Sequence, residues 1–184
     1  MSDDLRRSLR ALPDFVAALP EFDVEATPPE PEQLFLAWLE AALAGGLAQP
    51  HAFSLATAAS DGRPSSRILI LKGLDRRGWH FASMATSRKG VELAANPQAA
   101  MNFSWLELGR QVRLTGPVLA LPEAESERDW QERPRSDGRS NPQWQLWTLQ
   151  PDEIEFWQAR LDRKHQRLFY RRERPDAGWS KSLG

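Results

Sequence analysis

Three groups of cations carry the chemistry this chain could perform. In the first, Arg67 and Lys72 stand at the two ends of the apolar run RILILK. Alternate side chains of a strand face opposite ways, so Arg67, Leu69 and Leu71 share one face and Ile68, Ile70 and Lys72 the other. One ligand meets both cations only if the strand bends or the ligand lies along its edge. The plainer alternative is two cations whose stems pack on the sheet while their heads reach water. In the second group, Ser87, Arg88 and Lys89 open a helix directly after a strand. The free N–H groups and positive dipole end of a helix N-terminus suit an anion, above all a phosphate. Two cations in that first turn oppose the dipole unless an anion is bound; otherwise they form a solvated basic turn. In the third group, Trp157 ends a strand, and Arg163, His165 and Arg167 follow at alternate positions. An extended chain presents all three on one face beside a large indole, which suits a flat anionic ligand. A solvated cationic strand edge is the alternative there. The first two clusters together point to one phosphorylated ligand.

The elements that must position these groups follow from local pattern. A short helix is expected near residues 3 to 12, then an extended arm rich in proline and acids up to residue 30. In PEQLFLAWLEAALAGG, Leu34, Trp38 and Ala42 recur at helical spacing, and Gly45-Gly46 stops the run. AFSLATAAS and SSRILILK read as a hairpin with Asp61-Gly62 at its tip, and GLDRRG as a turn into WHFAS. TSRKGVELAANP reads as a helix capped by Thr86 or Ser87 and ended by Asn96-Pro97. AAMNFSW and RQVRLTGPVLAL are strands joined around Gly109, and PEAESERDWQERP is a surface helix. Three more strands lie around WQLWTL, EIEFWQ and RLFYRR. About seven strands in hairpin order, with short helices, predict a mainly β, antiparallel barrel with peripheral helices. Residues 1–30 are read as an N-terminal arm and residues 31–184 as a single domain.

Composition narrows the function. The chain has 184 residues with a formal net charge of −1, so nothing points to general affinity for nucleic acid. No apolar run is long enough to span a membrane, and the N-terminus lacks the apolar core of a signal peptide. Without cysteine there is neither a disulfide framework nor thiolate chemistry, so a cytoplasmic protein is expected. His51, His80 and His165 are scattered, and no metal site is expected. Eight Trp against one Tyr supply indoles for the core or for ring stacking.

SSRILILKG, SRKGVELAANP, RQVRLTGPV, Arg133-Pro134, EFWQ and RKHQR, in this order, resemble the motifs of the pyridoxamine/pyridoxine 5′-phosphate oxidase family. The resemblance runs from about Asp14 to Trp179. It implies an FMN-binding split β-barrel that dimerises with its site at the interface. It also implies hydride transfer from the substrate to flavin N5, with reoxidation by O2 to give H2O2. By that resemblance Arg67 and the backbone of Ile68, Leu69 and Ile70 hold the flavin, and Lys72 serves flavin and substrate. Ala82 and Ser83 form a flavin-contacting pair; Arg88 and Lys89, after Ser87, bind the FMN phosphate. Gln111, Trp157 and Arg167 come from the other subunit and contact the flavin. Arg133 binds substrate phosphate, and Arg163 and His165 lie over the substrate ring, where His165 could relay a proton.

The chain departs from the family's pattern in three ways. Asp129 stands where the oxidases have a phosphate-holding tyrosine, and Asp137 corresponds to a serine of the same pocket. A helical segment that follows the Arg-Pro motif is missing, along with a Gln-Ser pair that touches FMN, so the region after residue 134 is shortened. The arm sequence LPEFDVEATPPEP and the tryptophan of DWQERP look more like the phenazine-biosynthesis relatives. Three readings therefore stand. They are oxidation of pyridoxine or pyridoxamine 5′-phosphate, phenazine-type oxidation of a reduced heterocycle, and a flavin-binding protein with little oxidase activity. A flavin reductase or F420-using relative fits the phosphate-seeking clusters less well.

Overall fold

The computed structural model describes residues 3–13, 15, 18–134 and 136–184. Helix α1 (Asp3–Arg10) leads into an extended arm and α2 (Pro31–Ala44). There follow β1 (Ala52–Ala58), β2 (Pro64–Ile70), β3 (Gly73–Asp75), β4 (Gly78–Met84) and α3 (Arg88–Ala95). The rest is β5 (Gln98–Trp105), β6 (Arg110–Ala120), α4 (Glu123–Gln131), β7 (Trp144–Leu149), β8 (Glu153–Gln158), β9 (Gln166–Arg171) and β10 (Ser180–Leu183). The ten strands form one antiparallel sheet, against about seven expected. β3 and β10 coincide with no segment read as a strand, each being too short to show an alternation of its own. GLDRRG, read as a turn, carries β3 paired to β4 through Gly73↔His80.

The sheet curls because β6 changes partner along its length. Arg110–Thr115 pairs with β8, and Val118–Ala120 pairs with β7. At the crossover, a Cβ on Gly116 would lie 2.4 Å from the carbonyl oxygen of Gln150, so only glycine admits the passing chain. The ring then runs β2-β1-β5-β6-β7-β4, with β3 on β4. No ladder among the described residues joins β4 back to β2. That seam is the split in the barrel. At its closed end β2 stops two residues earlier than expected: Leu71 N–H still donates to the His51 carbonyl, but Lys72 N–H turns to the His80 carbonyl at 2.8 Å.

Alternation fills the interior. Phe53, Leu55, Phe81, Met101, Phe103, Val112 and Leu114 are fully buried or nearly so. Helix α2 closes the barrel with the face its spacing predicts, and Phe35 packs edge-on to Phe103 with centroids 4.9 Å apart. Trp38 does the same to Phe156 at 5.2 Å, joining the barrel to the β8-β9-β10 extension. Each such aromatic buries 150–250 Å² or so, which makes them the main contributors to this core. The arm is tied to the extension by Gln166 Nε2 donating to the Phe22 carbonyl and Tyr170 O–H donating to that of Pro28. None of the described helices is long and apolar enough to cross a membrane.

Candidate functional site

Helix α3 begins where β4 ends, at the open end of the seam. Ser87 caps it, its hydroxyl accepting from Gly90 N–H. A Cβ at Gly90 would sit 2.1 Å from the Ala85 carbonyl, so this glycine lets the helix start fold tightly onto the strand end. Lys89 Nζ donates to Ser87 Oγ at 3.1 Å, and Ser83 Oγ lies 3.4 Å from the same oxygen. Arg67 approaches from β2. Its Nη1 donates to Thr57 Oγ1 at 2.6 Å, its Nη2 donates to Ser65 Oγ, and it pairs with Glu92 at 3.4 Å. Arg88 Nε donates to Glu92 Oε1 at 2.8 Å. Burial, with the positive charge of Arg67 second, pulls the Lys89 ammonium below its ordinary value. An ammonium so placed gains from a nearby anion.

Glu92 is the carboxylate inside this cationic group. Hydrogen bonds from Ser65 and Thr57, opposed by burial and aided by Arg88, hold its carboxyl down at about 2 against an ordinary 4.5. A depressed carboxylate stabilises the fold above its unfolded pKa, and that contribution is lost as pH falls through the folded one. Urea unfolding of wild type should therefore lose its advantage over Glu92→Gln between about pH 5 and pH 2. A gap that stays constant across that range would contradict the assignment.

A second group runs along the β4 side of the seam, from Lys72 at the closed end to Trp144, which pairs with Met84 at the end of β4. Lys72 Nζ contacts Asp129 Oδ1 at 3.2 Å, both side chains largely buried. Asp129 Oδ2 also accepts from Trp144 Nε1 at 2.8 Å. Arg133 lies against both Trp130 and Trp144, its guanidinium carbon 4.2 and 4.6 Å from the ring centroids. Helix α4, which carries Asp129, is held to the β3–β4 hairpin by Arg77, which binds both Asp75 and Glu125. The acid expected to repel a phosphate is thus paired with one of the cations expected to bind it. Asp137 sits on the loop after α4, where its carboxylate accepts from Arg139 N–H, and it takes no part in this group. Trp130 Nε1 donates to the Arg139 carbonyl, so the loop folds back over α4.

The third group lies elsewhere. Gln111, Trp157 and Arg167 form one register row across β6, β8 and β9. Continuing the row, Gln111 faces Ser104 on β5. Asn102, on the same face as Ser104, opposes Ser54 on β1, and Ser54 opposes Ile68 on β2. Arg67, next to Ile68, faces the other way. The row and the Arg67 group therefore lie on opposite faces of the sheet, and four strand spacings of about 4.8 Å separate β8 from β2. Arg167 is held by Glu155 at 3.0 Å. Arg163 and His165 do not continue β9 as an extended stripe. Asp162 accepts from Lys164 N–H, and Arg163 takes a positive φ of 61°, so the chain turns there. His165 lies tilted against Trp157, centroids 4.9 Å apart, and its Nδ1 accepts from Arg160 N–H at 3.1 Å. An accepting Nδ1 leaves the imidazole proton on Nε2, the nitrogen available to donate.

The structure thus gathers Arg67, Ser83, Ser87, Arg88 and Lys89 at one end of the seam, with the unpaired edge of Ile68, Leu69 and Ile70 along it. Ala82, on β4, is buried against Leu121 and Leu146, Lys72 lies at the other end, and Asp129 and Arg133 reach back from it to Trp144, opposite Met84. Sequence reasoning missed Thr57, Ser65 and Glu92. Each had a signal: Glu92 lies one helical turn beyond Arg88, and a hairpin centred on Asp61 pairs Thr57 with Ser65.

Residues 39–158 match the family described as Pyridoxamine 5′-phosphate oxidase, and residues 144–183 match the Pyridoxine 5′-phosphate oxidase C-terminal dimerisation region. The chain is 39% identical to the pyridoxine/pyridoxamine 5′-phosphate oxidase of Salinibacter ruber, over 82% of this chain and 86% of that protein. Its identity to the enzyme of the same name from Cupriavidus taiwanensis is 37%, over 96% and 94% of the two chains. Among solved structures it resembles PhzG from Burkholderia lata in complex with tetrahydrophenazine-1-carboxylic acid. The TM-score is 0.81 at 30% identity, covering 94% of this chain and 99% of that one. An FMN-binding protein from Nostoc punctiforme shares the fold, with a TM-score of 0.70 at 18% identity.

Proposed function

The chain belongs to the pyridoxamine 5′-phosphate oxidase family, and from that premise we propose that it is an FMN-dependent oxidase acting as a homodimer. The observation that carries this reading is the cationic group at the start of α3, set at one end of an unpaired strand edge. Two guanidiniums, an ammonium, two serine hydroxyls and first-turn N–H groups are the donor set of a phosphate monoester site. The free edge of β2 offers main-chain donors and acceptors to a flat heterocycle lying along the seam. The residues therefore fit FMN. Arg67, Ser87, Arg88 and Lys89 would hold its phosphate, and Ile68, Leu69, Ile70, Ala82 and Ser83 would flank its ring. Held there, FMN would supply the redox chemistry, which is acceptance of a hydride and reduction of O2 to H2O2 by that hydride equivalent and one proton. The protein orients the substrate, keeps water out and places positive charge where negative charge develops. His165 would present its Nε2 proton to the substrate ring.

The two faces support the homodimer. Gln111, Trp157 and Arg167 cannot reach the Arg67 group of their own chain, but a second copy could bring them to it. Trp157 and Arg167 lie within the matched dimerisation region.

The Lys72–Asp129 contact favours one substrate class over the other. A phosphorylated vitamer needs Lys72 and Arg133 for its phosphate. Here one is neutralised by a carboxylate and the other stacked on two indoles. We therefore propose a reduced, flat heterocycle without a phosphate, of the kind bound to the relative from Burkholderia lata. Peroxide release should be slow with pyridoxine 5′-phosphate and faster with a dihydrophenazine-like compound. Asp129→Tyr should raise the first rate about five-fold, the equivalent of removing about 1 kcal/mol of repulsion in a partly wet pocket. It should leave the second flat or lower. Rapid turnover of pyridoxine 5′-phosphate by wild type would overturn this choice. No peroxide from either compound would favour a flavin carrier.

A further inference from the structure

We propose that Glu92 is a positioning residue for the phosphate end of the cofactor. Its buried carboxylate locks the Arg67 guanidinium from a strand and the Arg88 guanidinium from a helix into one fixed cradle. The inference rests on the FMN reading above, but neither that reading nor the family resemblance assigns Glu92 a role.

The hydrogen bonding has a defined direction. Arg67 Nη1 donates to Thr57 Oγ1, and Thr57 in turn donates to Glu92 Oε2. Arg67 Nη2 donates to Ser65 Oγ, and Ser65 donates to the same carboxylate oxygen at 2.6 Å. Two hydroxyl relays therefore run from one guanidinium to Oε2, while Oε1 takes Arg88 Nε. Both carboxylate oxygens thus accept from the protein side, Oε2 from Thr57, Ser65 and Arg67 and Oε1 from Arg88. Glu92 is consequently held away from an incoming anion instead of competing with it. Arg88 gives only Nε to Glu92, and its two terminal nitrogens have no partner among the described residues. Those nitrogens form the edge a phosphate would meet.

The charges also balance. Arg67, Arg88 and Lys89 bring three positive charges to one helix start, and Glu92 returns one. A net charge near +2 matches a phosphate monoester, which carries about −1.5 to −2 at neutral pH. Without the carboxylate the two guanidiniums repel each other and turn towards water, and binding must then pay to reassemble them. A glutamine at 92 would remove the charge and set an N–H₂ group against groups that already donate.

The test compares FMN with riboflavin, which carries the same ring and no phosphate. Both are titrated by fluorescence quenching into flavin-free, full-length wild type, Glu92→Gln, Arg88→Ala and the double variant. We expect Glu92→Gln to weaken FMN about ten-fold, the worth of one charge-assisted contact, and to leave riboflavin unchanged. The double variant should lose less than the two single losses combined, because Glu92 acts partly through Arg88. Should Glu92→Gln fail to fold, Glu92→Asp withdraws the carboxylate from Arg88 and is read by the same ratio. Equal weakening of FMN and riboflavin would reduce Glu92 to a structural tie and overturn the inference. So would tighter FMN binding, which would mean that the carboxylate opposes the phosphate. Wild type that binds neither flavin would instead overturn the FMN reading beneath it.

Discussion

Replacing Arg88 and Lys89 together by alanine is expected to weaken FMN binding by about two to four orders of magnitude. Each side chain offers a charge-assisted contact of about 1.5–3 kcal/mol to a phosphate, and the two stand in the first turn of one helix. The size of the effect follows from where they stand. Lys89 is partly buried beside Arg67, which disfavours its charged form, and a bound dianion reverses that penalty. Arg88 is anchored at Nε by Glu92, so its remaining nitrogens are already oriented and little rotamer entropy is lost on binding. Both residues lie at the helix start with Arg88 exposed, and neither belongs to the hydrophobic core. The double variant should therefore keep its fold, which circular dichroism can check. Titration of FMN into both proteins measures the outcome. Unchanged affinity in a folded variant would defeat the assignment of this helix start to the cofactor phosphate.

A heterodimer of two inactive chains is expected to recover one flavin site of two. One chain carries Arg88→Ala and Lys89→Ala, and the other carries Trp157→Ala and Arg167→Ala. If each site takes its cationic cradle from one subunit and its indole row from the other, the mixed dimer has one site with both halves intact and one with both halves broken. Each parent homodimer has two half-broken sites. The expectation rests on the sheet itself: the row on β6, β8 and β9 faces away from Arg67 and lies several strands from β2. Separating the heterodimer by two affinity tags and measuring bound flavin gives the answer directly. One flavin per heterodimer, with near none in either parent, supports the shared site. A flavin-loaded monomer by light scattering, or no recovery in the heterodimer, would rule it out.

The sequence by itself determined those features that depend on near neighbours. Strand alternation placed Phe53 and Leu55 inside, and the spacing of Leu34, Trp38 and Ala42 gave α2 its buried face. The cap at Ser87 and the stop at Asn96-Pro97 set the bounds of α3, and so put two cations at a helix N-terminus. These are properties of a few consecutive residues, set by backbone geometry and capping. The two short strands β3 and β10 were not legible, because a run of three or four residues shows no period and is ordered only by its partner. Nor was the bend after Ile70, which arises because Lys72 N–H finds the His80 carbonyl once the β3–β4 hairpin folds back. The pairing of Lys72 with Asp129 was decided by tertiary structure alone. It needs α4 laid across β7 and pinned by Arg77, which brings together charges far apart in the chain. Likewise, sequence order shows an early and a late group of candidate residues, but not that they face opposite sides of one sheet. That follows from the register of five ladders joining six strands, in which a shift of one residue anywhere would exchange the faces.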